Sequence, residues 1–450
     1  MAGVREMSER RSGEVGRIVN RVGWLLGDRG LRIFTDLVLN GWIAGYLGAA
    51  EFGLQVYALS IAGLLQPLAA LSLDTFSMYL LARGVSRERV LGTALALKFA
   101  AGAASWALAT GAAWMLHPGG GPVVAYIVVA GSLLVFRSFE VTDIWFQSSG
   151  HVRYGVWSRA AATMIFAVIK LALIGAHAAP LWFIATASLE VLSVGCFAFV
   201  LLRRAHGGRV GWEFDRGIAR EMLGRCWPLV ASAFCVSAYL RAAPALLVWF
   251  SSPQQAGIFG AANRLAEVIH FFPGAVVAAW TPWLLRAQER SKEDFERALQ
   301  AVVTVLVWSG VVTGLVAAAA GPFAVRALYG AEFAGSAVVM ALLAAGNPFV
   351  FGTAANGIWT TAERLERYAL VRLLATAIGS VALQAALIPA YGAIGAGVGL
   401  LFGHVASGFL FHLAMERTRP SARRIVRAFL PSGWRALRCT VAEMRAHPNG

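Results

Sequence analysis

The sequence predicts an all-α polytopic membrane protein, with about twelve transmembrane helices in two six-helix lobes around a central cavity. Three observations carry that reading. Hydrophobic residues make up 58% of the 450 positions and charged residues only 14%, with a mean hydropathy of +0.64; a soluble chain carries about a quarter charged residues. The apolar residues gather into windows of about 20, the length that crosses a hydrocarbon core. The basic residues crowd into alternate connections between those windows. No strand-type alternation runs along the chain, which argues against an outer-membrane barrel.

Twelve windows carry the pattern, at 24–46, 54–81, 90–116, 122–147, 155–176, 181–202, 226–250, 256–285, 299–320, 333–361, 368–388 and 392–414. The polar start "MAGVREMSERRSGEVGRIVNR" is too long for the charged region of a signal peptide. It is expected to be a cytoplasmic arm before a retained first span. Six prolines in or near spans, Pro67, Pro228, Pro244, Pro273, Pro282 and Pro348, are expected to kink helices.

The basic residues choose the orientation. Arginines fill the N-terminal arm and the second, fourth, sixth, eighth and tenth connections, and eight more follow Glu416. The odd-numbered connections, such as "HPGGGP" and "SSPQQ", hold almost none beyond Arg326. Short loops rich in Lys and Arg stay cytoplasmic, so both termini are expected inside. The net charge of +15 is thereby explained without nucleic acid: it is positive-inside bias plus a tail suited to anionic membrane lipids.

The longest polar connection, "RRAHGGRVGWEFDRGIAR", divides the spans six and six. The expected organisation is an N-terminal lobe with its arm at 1–204, a linker at 205–219, a C-terminal lobe at 220–415 and a basic tail at 416–450. A faint repeat supports the division: "EFGLQVYA" opens the second span and "QAGIFGAA" the eighth. Repeats in one orientation imply lobes related by an axis along the membrane normal.

Ions inside the spans are where function is expected. A charged residue at a helix centre costs about 2.5–3.5 kcal/mol on insertion scales, so such residues face a partner or a polar cavity. The first span carries Arg29, Arg32 and Asp36 on one face. The fourth carries Arg137, Glu140 and Asp143; on an α-helix, steps of three give a slanted stripe. The fifth places Arg159, Thr163, Phe166 and Lys170 on one face, the seventh has Arg241, and the eighth has Arg264, Glu267 and His270. Lys98 and Glu190 look isolated. For any one residue, structural pairing is as good an explanation as function. For the set it is weaker, because apolar packing would hold helices together as well. Basic groups on five spans suit a large phosphate-bearing substrate. His270 reads as a packed or hydrogen-bonded histidine rather than a ligand.

Enzyme motifs are absent: there is no P-loop, H-E-x-x-H or G-x-S-x-G, and the outer connections are short turns. The four cysteines, Cys196, Cys226, Cys235 and Cys439, form no C-x-x-C pair, so neither disulfide framework nor metal site is expected. No cofactor is expected either. No ATP site is seen, so if the chain moves a substrate, the expected driving force is H+ or Na+ coupling, with Asp36, Glu140, Asp143 and Glu267 as candidates, or removal of the product.

Three stretches carry a family resemblance: "YLGAAEFGLQVYALSIAGLLQPLAALSLD", "FEVTDIWFQSSGHVRYGVWSRA" and "PQQAGIFGAANRLAEVIHFFPGAVVAAWTPWL". They resemble bacterial polysaccharide-unit flippases of the multidrug/oligosaccharidyl-lipid/polysaccharide exporter superfamily. The resemblance covers most of the chain and rests on apolar patterns with a few fixed Gly, Glu and Arg positions. It implies translocation of an undecaprenyl-diphosphate-linked oligosaccharide to the outer leaflet of the inner membrane, in concert with polysaccharide polymerase machinery. It also implies that Arg29, Arg32, Arg137, Lys170, Arg241 and Arg264 bind the substrate. The chain departs from the family at Ala243, where an Asp follows the Tyr239 and Arg241 pattern; no coupling role carries over there. A multidrug exporter, which favours an acidic aromatic pocket, is the alternative. A lipid II flippase is expected to carry two more helices, and a polymerase or ligase a long outer loop.

Overall fold

The computed structural model describes residues 2–205, 211–363 and 365–446, with side chains described from Gly30 onward, a few positions excepted. Among the described residues there is no strand. Eight helices are long and apolar enough to cross a membrane, or ten when each of two bent pairs counts as one span.

Two of these helices are far longer than one crossing needs. The run Arg32–Ala82 has 51 residues and Tyr368–Ala414 has 47; straight helices of that length would reach about 70–75 Å, against a core of about 30 Å. Each is broken at a glycine. Gly48 has φ 76°, ψ 167° inside α1 (Ala2–Ala70), and Gly392 has φ 53°, ψ −131° inside α14 (Glu366–Val405). Positive φ is open to glycine without the steric penalty other residues meet. Each run therefore has the length and the break for two crossings, in keeping with the about twelve spans expected from the sequence. The protein is an all-α, multi-pass membrane protein.

The chain divides into two compact units, one of residues 1–43 and 65–230, the other of residues 44–64 and 231–450. The first contains α2 (Leu73–Ala82), α3 (Arg87–Leu116), α4 (Pro122–Phe136), α5 (Val141–Ser148), α6 (Val152–Gly175), α7 (Pro180–Ala205) and the start of α8 (Arg216–Phe250). There α4 packs between α3 and α7, while α2 meets α3 and α5. The backbones approach closely where small residues allow it: a Cβ on Gly102 would lie 2.5 Å from the Leu134 carbonyl oxygen. Leu73, Leu91, Ile144, Trp145 and Met222 form a common core at one end of the unit.

The second unit contains α9 (Pro253–Ile269), α10 (Phe271–Arg290), α11 (Lys292–Tyr329), α12 (Ser336–Ala345), α13 (Asn347–Ala362), α14 and the short α15 (Phe411–Ala414). Its core gathers on α11. After the last span come α16 (Arg419–Ala428) and α17 (Pro431–Ala446), both packed on α11. At 10 and 16 residues they are shorter than the about 20 needed for a crossing.

The two segments of the faint repeat touch. A Cβ on Gly53 would sit 1.8 Å from the Pro253 carbonyl oxygen, and one on Gly257 would sit 2.0 Å from the Ala49 carbonyl oxygen. Each glycine thus receives the carbonyl four residues before the other, so the two segments "EFGLQVYA" and "QAGIFGAA" meet as near-symmetric equals. Gly53→Ala is accordingly expected to force the helices apart and destabilise the protein by at least 1–3 kcal/mol, roughly the cost of overpacking. Gly119→Ala, with nothing within 4 Å, is expected to leave thermal unfolding in detergent unchanged.

Candidate charged site between two broken helices

Two helix breaks face one pocket of the first unit. Span two is interrupted after α1, where Leu71 and Ser72 take φ of 52° and 50°. Left-handed backbone at non-glycine residues costs of order 1–3 kcal/mol and concentrates at functional sites. Pro67 lies one turn earlier, and its carbonyl accepts the Leu71 amide at 3.1 Å. The new helix α2 then begins with Asp74 in its first turn.

Span four is interrupted between α4 and α5. Residues Arg137–Glu140 form a 3-10 turn rather than α-helix, a geometry that in mid-helix often marks a functional hinge. Local hydroxyls favour it: Ser138 Oγ donates to the Val135 carbonyl at 2.7 Å and Thr142 Oγ1 to the Phe139 carbonyl at 2.8 Å. Such back-bonding competes with the regular ladder and bends helices. The slanted stripe expected of an α-helix is thereby corrected, because residues three apart eclipse in a 3-10 turn. Arg137 and Glu140 lie on the same side.

The pocket between these breaks holds about 290 Å³ and is lined by Asp74, Thr75, Glu140, Asp143 and Gln147. Two of its carboxylates are committed. Asp74 bonds Lys98, whose side chain is 2% exposed against 57% for Asp74. Asp143 bonds Arg159 Nη1 at 2.6 Å, where Gly155 brings α6 close enough that a Cβ would meet Asp143 Oδ1 at 2.8 Å. The third, Glu140, is exposed to the pocket. Glu140 lies in the field of Arg137, Lys98, Asp74 and Asp143. Among the described residues, neither Glu140 nor Arg137 forms an ion pair of 4 Å or less or a side-chain hydrogen bond. After the two closed pairs are set aside, the pocket retains one carboxylate, Glu140, with Arg137 one 3-10 turn away and outside the pocket's lining.

The other expected site residues are dispersed. Lys170 is buried and donates to Glu190 at 2.8 Å, and Glu190 also accepts from Thr163 Oγ1 at 3.2 Å. The fifth-span face is thus an internal contact. Lys98 and Glu190, expected to be isolated, are each paired; a buried ion in a span requires its partner, and the topology supplies one. Arg32 and Asp36 belong to the first unit, and the Asp36 carbonyl accepts from Asn40 at 2.6 Å. The side chain of Arg29 lies outside the described residues. Arg241, Arg264 and Glu267 belong to the second unit. Arg241 lies over Gly63, whose Cβ would meet its Cδ at 2.5 Å. Arg264 pairs with Glu267 at 3.4 Å along one helix, and Asn263 donates to Glu267 at 3.0 Å. His270 shares a 3.1 Å hydrogen bond with Asn347, as its packed reading requires. No group of metal-ligating residues occurs among the described residues.

Sequence reasoning missed Asp74. It stands alone in "LSLDTF", with no charge at helical spacing to draw attention. The available signal was Lys98, since an ammonium inside a span demands a counter-charge. The pair also gives an asymmetric expectation. Asp74→Asn strands a buried ammonium and is expected to cost about 3 kcal/mol, the scale of breaking a buried pair. Lys98→Met strands only a carboxylate more than half exposed and is expected to cost less, as read from thermal unfolding in detergent.

No protein-family model matches the chain, and comparison with curated proteins finds no match. Solved structures do match in fold. A lipid II flippase MurJ in an inward closed conformation superposes with a TM-score of 0.64 at 10% identity, covering 90% of this chain and 91% of that one. An inward-facing multidrug resistance MATE family transporter of the MOP superfamily gives 0.57 at 13% identity, covering 92% and 96%. The eukaryotic MATE transporter AtDTX14 gives 0.55 at 13%, covering 91% and 99%. The chain is thus similar in fold to these transporters over about nine-tenths of its length.

Proposed function

We propose that the protein is a transporter that moves an undecaprenyl-diphosphate-linked oligosaccharide from the inner to the outer leaflet of a bacterial cytoplasmic membrane. It works by alternating access and feeds polysaccharide polymerase machinery. The observation that carries this reading is Arg137: a guanidinium inside a span, at a helix break, beside Glu140 but in no ion pair of 4 Å or less among the described residues. A planar fork of N–H donors suits a diphosphate. The likeness to the lipid II flippase supports a lipid-linked substrate. Glu140, eclipsed with Arg137 across the 3-10 turn, supplies the coupling carboxylate for H+ or Na+.

A second reading rests on the pocket's own carboxylates. Asp74, Glu140 and Asp143 together suit an organic cation, the cargo class expected of a multidrug exporter. Binding by the purified protein separates the two. Native mass spectrometry is expected to retain an undecaprenyl-diphosphate oligosaccharide and to lose it in Arg137→Ala. Retention of a lipophilic cation instead, lost in Glu140→Gln, supports the exporter.

The orientation proposed places both termini in the cytoplasm. In a cysteine-free protein, cysteines at Gly119 and Ser251 are expected to react with an impermeant maleimide from outside the cell, and one at Gln288 only after permeabilisation. The opposite pattern overturns the orientation.

A further inference from the structure

The tail that follows the last span is a folded part of the second unit. Trp308 of α11 donates its indole N–H to the Ala428 carbonyl at 3.0 Å and packs on Phe429 and Trp434. Gly433 fits where a Cβ would be 2.4 Å from the Arg427 carbonyl oxygen. Between α11, α16 and α17 lies a pocket of about 340 Å³ that includes Glu296, Arg297, Gln300, Arg423, Arg424 and Arg427 in its wall.

The charges of this pocket can be assigned one by one. Arg424 is buried; its Nη2 donates to both Glu296 oxygens at 2.7 and 2.8 Å, and its guanidinium stacks over Trp359 at 4.7 Å. Arg297 is held by Glu443 at 3.0 Å and Asp294 at 3.4 Å. Arg423 and Arg427, one turn apart on α16 and both exposed, have no ion pair among the described residues. Two uncompensated positive charges therefore look into a cavity whose other charges cancel.

One further group is unsatisfied. Gln300 is 7% exposed, and its Nε2 donates to the Arg424 carbonyl at 3.0 Å and to Thr304 at 3.3 Å. Those donations fix the amide orientation and leave Oε1 buried without a partner. A buried acceptor left unpaired costs about 1–3 kcal/mol, so a bound donor there is favourable. Beside the pocket, Val426 on α16, Phe429 and Leu430 in the turn after it, and Trp434 on α17 are 40–50% exposed, an apolar patch on the helix pair that follows the last membrane span. Basic and apolar residues so combined lie in a membrane interface.

We propose that this pocket is a binding site for a phosphate with a neighbouring hydroxyl, the chemistry of a glycerophosphate. Arg423 and Arg427 take the phosphate, and Gln300 Oε1 accepts the hydroxyl. The same chemistry is offered by the headgroup of an anionic phospholipid and by a soluble glycerol phosphate.

The test uses the full-length protein in nanodiscs of phosphatidylcholine, with added phosphatidylglycerol, phosphatidylmethanol or free glycerol 3-phosphate. Phosphatidylmethanol carries the same charge without the hydroxyl. Binding of phosphatidylglycerol is expected to weaken about 10-fold or more in Arg423→Ala/Arg427→Ala, the scale of lost charge-assisted hydrogen bonds. Gln300→Leu is expected to remove the preference for phosphatidylglycerol over phosphatidylmethanol while sparing phosphatidylmethanol itself. Binding of glycerol 3-phosphate with the same dependence on all three residues supports the site and identifies a soluble ligand. Equal binding of the two lipids by the unmodified protein, or binding indifferent to the double substitution, overturns it.

Discussion

Arg137→Ala is expected to abolish transport of the lipid-linked oligosaccharide while leaving the protein folded in the membrane. Both halves follow from the site. Arg137 has no ion pair of 4 Å or less among the described residues, so its removal breaks no direct contact, weakens only the field at the pocket-exposed Glu140, and leaves the Lys98–Asp74 and Arg159–Asp143 pairs intact. Thermal unfolding should therefore stay close to that of the unmodified protein. Transport is different, because hydrogen bonds to a charged partner contribute about 1.5–3 kcal/mol, or roughly 10- to 100-fold in binding. Arg137→Lys should recover part of the rate, since an ammonium keeps the charge but loses the planar fork. A rate in Arg137→Ala equal to that of the unmodified protein removes this residue from the mechanism. An equal loss of rate and of stability assigns it a structural role.

Glu140→Gln is expected to separate transport from its driving gradient. The amide keeps the shape of the carboxyl and removes its ability to exchange a proton or hold a cation. Among the pocket's three acids only Glu140 lacks a committed cation, so it alone can change partner without leaving a buried charge unpaired. Downhill exchange across proteoliposomes should continue in Glu140→Gln, while accumulation driven by a pH or Na+ gradient should disappear. Asp143→Asn serves as the contrast: it breaks the 2.6 Å pair with Arg159 and should lower stability as well as rate. Full gradient-driven accumulation in Glu140→Gln excludes it as the coupling site. If the unmodified protein ignores both gradients, consumption of the product outside becomes the driving force.

Much of the fold was legible because the bilayer imposes it. Apolar windows of spanning length admit only helices, whereas the close contact at Gly53 and Gly257 was not read from the sequence, where the two segments stood only as a faint repeat. The stripe Arg137, Glu140 and Asp143 was legible as a charged cluster for the same reason: ions inside spans need a cause. Its geometry was not. The 3-10 turn depends on Ser138 and Thr142 hydroxyls turning back on the chain, which periodicity cannot reveal, and the change from slanted to eclipsed residues follows from it. Partner assignments were hidden too. Lys98 with Asp74 and Lys170 with Glu190 join residues of different helices, and spacing along one helix carries no information about its neighbours. The pocket of the tail was hidden for a related reason, since "RPSARRIVRA" reads as a solvated basic run until Arg424 is seen buried against Glu296.

The most direct test of the account is leaflet exchange by the purified protein. Proteoliposomes would carry a fluorescent undecaprenyl-diphosphate oligosaccharide in both leaflets, with an impermeant quencher added outside. Quenching proceeds to completion only if the inner pool reaches the outer leaflet. The account predicts complete quenching with the unmodified protein, and a stop near half with Arg137→Ala, as in protein-free liposomes. A stop near half with the unmodified protein, when the same vesicles accumulate a lipophilic cation, would contradict it.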